Sequence, residues 1–305
     1  MRLIISGTTR KIAFIFTLSC STLSAQSGLK LQSSEWNIGA RATALAEAYA
    51  AEAHDVSAMY WNPAALPFLQ RLFVLVDYAQ NVDHTVAGYA MAVPLRLDNY
   101  QVIAIGARIN RSMGELQNEY PGREYSIDVA TARTVASGLS IGIRASYHHA
   151  EHSHEQRSIG SGSMGISYTP DPKISYALTY HGLELASSRH AETDDPAVGW
   201  ERIPSRFGIG MTMRYPSSQR DRVLTFSLAN EKTVGQRGLT YKGGLELVPW
   251  SFLALRTGYL AGPTTSGMRY GVGLMTEYLQ AAYAFVPHGI FGKVHQFSFL
   301  LKIWD

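Results

Sequence analysis

The chain has 305 residues, of which 46% are hydrophobic and only 17% charged, with 27 glycines and 17 tyrosines. Charge is sparser than the roughly 25% of soluble domains, yet a mean hydropathy of −0.06 excludes a bundle of membrane helices. The formal charge of +3 excludes nothing until its source along the chain is known.

Residues 1–25 read as a secretory signal. Arg2, Arg10 and Lys11 make a positive start, Ile12 to Leu18 an apolar core, and Leu23-Ser24-Ala25 a small-residue cut site, so the mature chain begins at Gln26. The apolar run is too short to cross a bilayer, which takes about 20 residues. Cys20, the single cysteine, lies inside this signal and lacks the spacing of a lipid-attachment site. The mature chain then has no cysteine and needs no disulfide. Losing the signal removes three positive charges and brings the formal charge to zero, so no nucleic-acid partner is expected.

Residues 26–70 form a separate N-terminal region. Ala42, Leu45, Ala46, Tyr49 and Ala53 recur at helical spacing, which predicts one short helix over 39–60. Trp61-Asn62-Pro63 ends it, because proline cannot continue a helix.

From residue 71 to 305 the period is two. In 101–109, Gln101, Ile103, Ile105, Ala107 and Ile109 oppose Val102, Ala104, Gly106 and Arg108. In 238–247, Leu239, Tyr241, Gly243, Leu245 and Leu247 oppose Thr240, Lys242, Gly244 and Glu246. Strands of about 9–11 residues with one apolar face suit a tilted bilayer crossing. Fourteen such segments follow, near 71–80, 84–93, 99–109, 124–135, 139–149, 160–168, 173–183, 203–215, 222–230, 238–248, 251–260, 268–277, 279–286 and 294–304. The even-numbered links are short, while most odd-numbered ones, such as 110–123, 150–159, 184–202 and 287–293, are longer. Sorting by parity is the mark of an outer-membrane up-and-down barrel with its short turns in the periplasm. An even count then puts both chain ends there. The last strand alternates Phe297, Phe299, Leu301 and Ile303 with Ser298, Leu300 and Lys302, and ends on Trp304. It is expected to close the barrel.

Two blocks, Ile38-Gly39-Ala40-Arg41-Ala42 through Asp55-Val56-Ser57-Ala58-Met59-Tyr60-Trp61-Asn62-Pro63-Ala64, and Ala282-Tyr283-Ala284-Phe285-Val286-Pro287-His288-Gly289, stand at opposite ends of the mature chain. Together they resemble the PorV/PorQ family of outer-membrane proteins, relatives of the FadL long-chain fatty-acid transporters. The resemblance implies a barrel of fourteen strands with an N-terminal hatch, a source in the Bacteroidota or a related phylum, and a role with type IX secretion proteins or their cargo. The family's Met-Gly-Gly is here Leu45-Ala46-Glu47, and its glycine after Asn-Pro-Ala is Ala65. The second implied function is a FadL-like transporter of fatty acids or other hydrophobic ligands.

The resemblance makes Arg41, Trp61, Asn62, Pro63 and Ala64 candidate hatch residues. Arg108, Arg144, Lys242 and Arg256 fall mid-strand. A charge facing lipid at the midplane costs about 2–4 kcal/mol, so they are expected to face the lumen, in ion pairs that hold the plug or along a path for an anionic ligand. His148, His149, His152 and His154 sit among Glu151 and Glu155 in an expected loop, at spacings that match no metalloenzyme motif. No metal site or cofactor is therefore expected. There is no GxSxG elbow, HExxH or P-loop, and Gly271-x-Gly273 lacks the context of a nucleotide site. Ser146 and His148 share a strand face, a pair that any strand produces. No enzymatic role is expected.

Overall fold

A computed structural model describes residues 31–304, apart from 33–35, 53–54, 70–71, 120, 153–154, 192–201 and 216–223. The segment expected to be a secretory signal and His154 lie outside the described residues. The chain is a closed antiparallel barrel of fourteen strands, each paired with its neighbours in sequence. In order these are β1 Leu72–Asn81, β2 Val86–Arg96, β3 Gln101–Ser112, β4 Arg123–Ala136, β5 Leu139–His152, β6 Glu155–Asp171, β7 Ile174–Ala191, β8 Arg206–Tyr215, β9 Leu224–Thr233, β10 Thr240–Trp250, β11 Leu253–Ala261, β12 Ser266–Met275, β13 Leu279–Gly289 and β14 Gly292–Trp304. Closure is made by β1 on β14, with Val76 opposite Phe299 and Tyr78 opposite Phe297.

The wall is apolar outside and polar inside. Ile127 is 58% exposed and Ile143 60%, while Asp128 between strand neighbours is fully buried. Ile105, Ile209, Leu228 and Leu255 continue the outer belt. Period-two alternation puts these residues on one face and Gly106, Asp128, Gly142 and Glu246 on the other. An apolar outer face on a closed wall leaves no free edge and suits hydrocarbon. The chain is a transmembrane β-barrel. Among the described residues no helix is long and apolar enough to cross a membrane.

Two expectations need correction. The single helix over 39–60 is instead α1 (Ala40–Ala44), a run of turns, α2 (Ala58–Trp61) and a 3₁₀ helix over Pro63–Phe68. The break follows Leu45, where Ala46 (φ 52°) and Glu47 (φ 66°) turn left-handed. The long links at 150–159 and 287–293 are mostly strand, because β5, β6, β13 and β14 run on and leave only 153–154 and 290–291 between them. The wall is also uneven. β6 has 17 residues and β7 has 18, whereas β11 has 9. Past His181, β7 pairs with β6 but not with β8, and bulges beside Gly182 and Leu185 bend it there.

Leu31 packs on Ala150, Ile159 and Ile203, at the mouth opposite the start of β1 and the end of β14. The first described residue and the last strand's end therefore lie at opposite mouths, and the segment between them threads the lumen.

The lumenal hatch as candidate functional site

The segment descends as a spiral along the inner wall. Trp36 stacks on Phe291, with ring centroids 5.0 Å apart. The Gln296 amide donates to the Asn37 carbonyl (3.0 Å) and to Asp77 (2.7 Å), and the Ala40 N–H donates to Ser298 Oγ (2.6 Å). These bonds bridge the β1–β14 closure from inside. Next, α1 packs on Ala284 of β13. Residues 45–46 lie on β10 and β11, residues 50–51 on β8, and Asn62 to Ala64 on β5 and β6. At the last mouth the Arg96 guanidinium holds the Leu69 carbonyl at 2.6 Å.

Glycines in the wall make this approach possible. A Cβ at Gly142 would stand 2.5 Å from the Ala64 nitrogen, and one at Gly258 2.6 Å from that of Ala46. At Gly244 it would meet the Leu45 carbonyl oxygen at 2.8 Å. Mid-strand glycine marks close approach of another backbone, and that is the signal through which these hatch seats can be read in a sequence. The two left-handed residues deliver the same result from the hatch side, turning the backbone flat against Gly244 and Gly258. They fall where the resembled family carries its glycine pair. Each left-handed non-glycine residue costs roughly 1–2 kcal/mol, so Glu47 must be held.

It is held by charge. Glu47 Oε1 lies 2.7 Å from Arg269 and its Oε2 3.1 Å from Lys242. Burial alone would raise this carboxyl, but Arg269 and Lys242 hold it below the ordinary carboxylate range. Arg41 grips Glu246 through two bonds of 2.9 and 2.8 Å and also reaches Glu52 at 2.8 Å. Glu52 in turn meets Arg214 at 2.9 Å. The Arg256 Nε donates to Glu246 at 2.6 Å, and Lys242 shares Glu231 at 3.1 Å. On the other side of the lumen, Arg108 and Arg144 lie over the Tyr60 ring, 5.1 and 5.3 Å from its centre. Asp128 joins them, 3.3 Å from Arg108 and 3.9 Å from Arg144.

The residues named from sequence thus stand in the lumen. Asn62 is fully buried; its side chain accepts from the Ala64 N–H and donates to the Ala50 carbonyl (3.0 Å), with Pro63 opening the 3₁₀ helix. The Trp61 indole donates to the Ile38 carbonyl at 2.9 Å. The four mid-strand cations all point inward, but their partners Glu47, Asp128, Glu231 and Glu246 were not readable from alternation, which assigns a face and not a contact.

Hatch docking is two-sided. The apolar cluster of Ile38, Leu45, Tyr49, Val56, Met59 and Leu66 meets the wall only through strands β1–β4 and β14, at residues such as Leu75, Ala92, Val102, Ala104 and Leu300. Against β8–β12 the contacts are ion pairs, together with backbone and the small side chains of Ala44, Ala46, Ala50 and Ala51 laid on wall glycines. Between the hatch and β7–β10 lies a small cavity of about 20 Å³, bordered by Glu47, Trp61, His181, Gly208, Glu231 and Lys242, with room for about one water.

Three of the histidines expected in a loop, His148, His149 and His152, are strand residues of β5. His148 Nε2 lies 3.2 Å from Ser161 Oγ, and His149 Nδ1 3.0 Å from Ser158 Oγ. Ser146 donates to Asp128 at 2.5 Å. Among the described residues no group of three His, Cys, Asp or Glu side chains could hold a metal ion.

No protein-family model matches the chain, and no curated protein does. Solved structures do match in fold. The Ralstonia pickettii toluene transporter TbuX aligns over 92% of this chain and 99% of its own, with TM-score 0.62 and 12% identity. The CymD monoaromatic hydrocarbon channel aligns over 88% and 98%, with TM-score 0.58 and 12% identity. A Pseudomonas aeruginosa FadL homologue aligns over 86% and 98%, with TM-score 0.54 and 11% identity. The fold is that of FadL-type outer-membrane barrels.

Proposed function

We propose that this chain is a hatch-gated outer-membrane channel for small hydrophobic ligands, shut in the state described. The mouth with Leu72 and Trp304 faces the periplasm, and the mouth with the tall β6–β7 wall faces outward. The observation that carries the reading is the two-sided docking. A permanent plug gains most from apolar packing all round, since a buried ion pair is often no better than an apolar pair of the same volume. Here apolar packing retains the hatch on β1–β4, while its other side meets β8–β12 through charges that water can solvate once the contact parts. Opening is withdrawal of residues 41–52 from β8–β12, which widens the cavity beside Trp61 into a passage. The hydrophobic-ligand class follows the transporters and channels that share the fold.

A disulfide tests this directly. A Cβ at Gly210 lies 3.6 Å from the Ala50 Cβ, inside the disulfide range of about 3.5–4.5 Å. Ala50→Cys with Gly210→Cys ties the moving side to β8. Uptake of toluene into proteoliposomes should fall to the level of empty vesicles when the pair is oxidised and return on reduction. Equal uptake in both states would refute gating by this segment.

A second reading, an accessory of type IX secretion of the PorV/PorQ kind, is favoured by the filled lumen and by the β6–β7 wall standing above β8. Crosslinking in cells should then recover secretion proteins or cargo with the barrel; repeated recovery of the barrel alone would count against it.

A further inference from the structure

We infer that Arg111 and Arg123 form a site on the lipid-facing side of the barrel for a phosphate of lipid A, the glycolipid of the outer leaflet. The inference takes from the proposed function only its orientation, with the tall β6–β7 wall facing outward. Arg111 and Arg123 are the outermost register partners of β3 and β4, at that same mouth. Both are exposed, on the wall face that carries the exposed Ile105, Ile109, Tyr125 and Ile127. The apolar belt runs up to Ile109 and Tyr125, which oppose each other, with Tyr89 of β2 on the other side of Ile109. Arg111 and Arg123 come two residues further on, roughly 7 Å along the strands. Aromatic residues mark the height where hydrocarbon gives way to headgroups, so the cations stand at headgroup level.

The pair is unfavourable unless an anion joins it. Like charges directly opposite on neighbouring strands repel, and among the described residues neither arginine has an ion pair or a side-chain hydrogen bond. Glu151 stands opposite Arg123 on β5, but its carboxylate lies 3.5 Å from His149 instead. Inside the lumen, by contrast, Arg108, Arg256 and Arg269 each meet a carboxylate. An anion between the two forks turns their repulsion into attraction. Phosphate suits them because each guanidinium can take two of its oxygens at once. The exposed Tyr89, Ile109 and Tyr125 below offer acyl chains an apolar bed that a free phosphate would leave unused. Lipid A carries its phosphates directly on the acylated sugar, at the hydrocarbon boundary and on the outward side, where this pair stands.

Native mass spectrometry of the purified full barrel, exchanged from detergent into each lipid, reads the site. The wild type should retain bisphosphorylated lipid A at least about tenfold better than the same glycolipid stripped of its phosphates. Arg111→Gln with Arg123→Gln should cut that preference to within about twofold, while Arg133→Gln should keep it. Arg133 is exposed on the same face of β4 near the strand's other end, so it controls for the loss of any outer arginine. Heat-modifiable migration on gels reports that each variant is a closed barrel. An unchanged preference in the double variant, or an equal loss in Arg133→Gln, would overturn the site. Phosphatidylglycerol held as well as lipid A would overturn the glycolipid as its occupant. Lipid retention is read without uptake: its failure leaves the channel reading standing, and failure of the oxidised-pair uptake test leaves this site standing.

Discussion

Replacing Gly142 by valine should convert a silent barrel into a conducting one. Gly142 faces the lumen on β5, and the atoms a side chain would meet are all backbone: the Ala64 nitrogen at 2.5 Å, the Pro63 carbonyl carbon at 2.6 Å and the Ala64 Cα at 2.8 Å. Backbone cannot rotate aside as a flexible side chain can. The wall is fixed by pairing to β4 and β6, so the 3₁₀ helix must leave its seat. With it go the buried Ala65, Leu66 and Leu69, which belong to the cluster retaining the hatch on β1–β4. Forced overpacking typically costs about 1–3 kcal/mol, and burying a Leu side chain contributes about 1.5–3 kcal/mol. The expected loss is therefore about 3–5 kcal/mol in hatch docking, with the strand wall intact. Planar-bilayer recordings should give steady conductance for Gly142→Val and none for the wild type. Gly160→Val is the matched control, because a Cβ there meets nothing closer than 3.8 Å; it should behave as the wild type. Silence of Gly142→Val in a folded barrel would mean that this seat does not position the hatch.

Glu246→Ala should release the opposite side of the hatch. Glu246 is buried on β10 and takes Arg41 from the hatch and Arg256 from the wall. Removing it leaves two guanidinium groups facing each other in a closed lumen. Breaking a buried pair in this way costs about 3–5 kcal/mol. Arg256 is fixed to β11, so relief comes from Arg41 moving away, and residues 41–52 follow. Thermal melting should drop, and protease should reach the hatch while the strands stay protected. Arg41→Met, Glu246→Leu and Arg256→Met together should restore most of the stability, because apolar groups of similar volume replace the ions without leaving a lone charge. No rescue by the triple variant would show that shape, not charge, holds this contact.

The strands were readable because lipid and lumen impose a strict alternation. Segments such as 101–109 and 238–247 carry it plainly, and all fourteen strands stand where they were expected, most of them within a few residues of their bounds. The upper parts of β5, β6 and β7 were not readable. There the wall rises past the apolar belt, so 150–159 is polar on both faces and resembles a loop. The inward direction of Arg108, Arg144, Lys242 and Arg256 follows from the cost of a charge in lipid. Their partners do not follow, because Glu47, which meets Lys242, comes from the hatch, whose course depends on the left-handed turn at Ala46 and Glu47. Neither residue type announces such a turn. Ala-rich spacing suggested a continuous helix instead. The better clue lay in the wall, where Gly142, Gly165, Gly244 and Gly258 leave space that only another chain segment would fill. The Asn62-Pro63 cap was legible as a turn, though not as a seat on Gly165.

Amide hydrogen exchange along the hatch tests most directly the claim that one side is retained and the other released. Residues 46–52 should exchange at least about a hundredfold faster than residues 64–69, a difference near 2.7 kcal/mol in opening free energy. Toluene should raise exchange in 46–52 alone. A single shared exchange rate across both stretches, unmoved by ligand, would contradict the account and make the hatch one permanent plug.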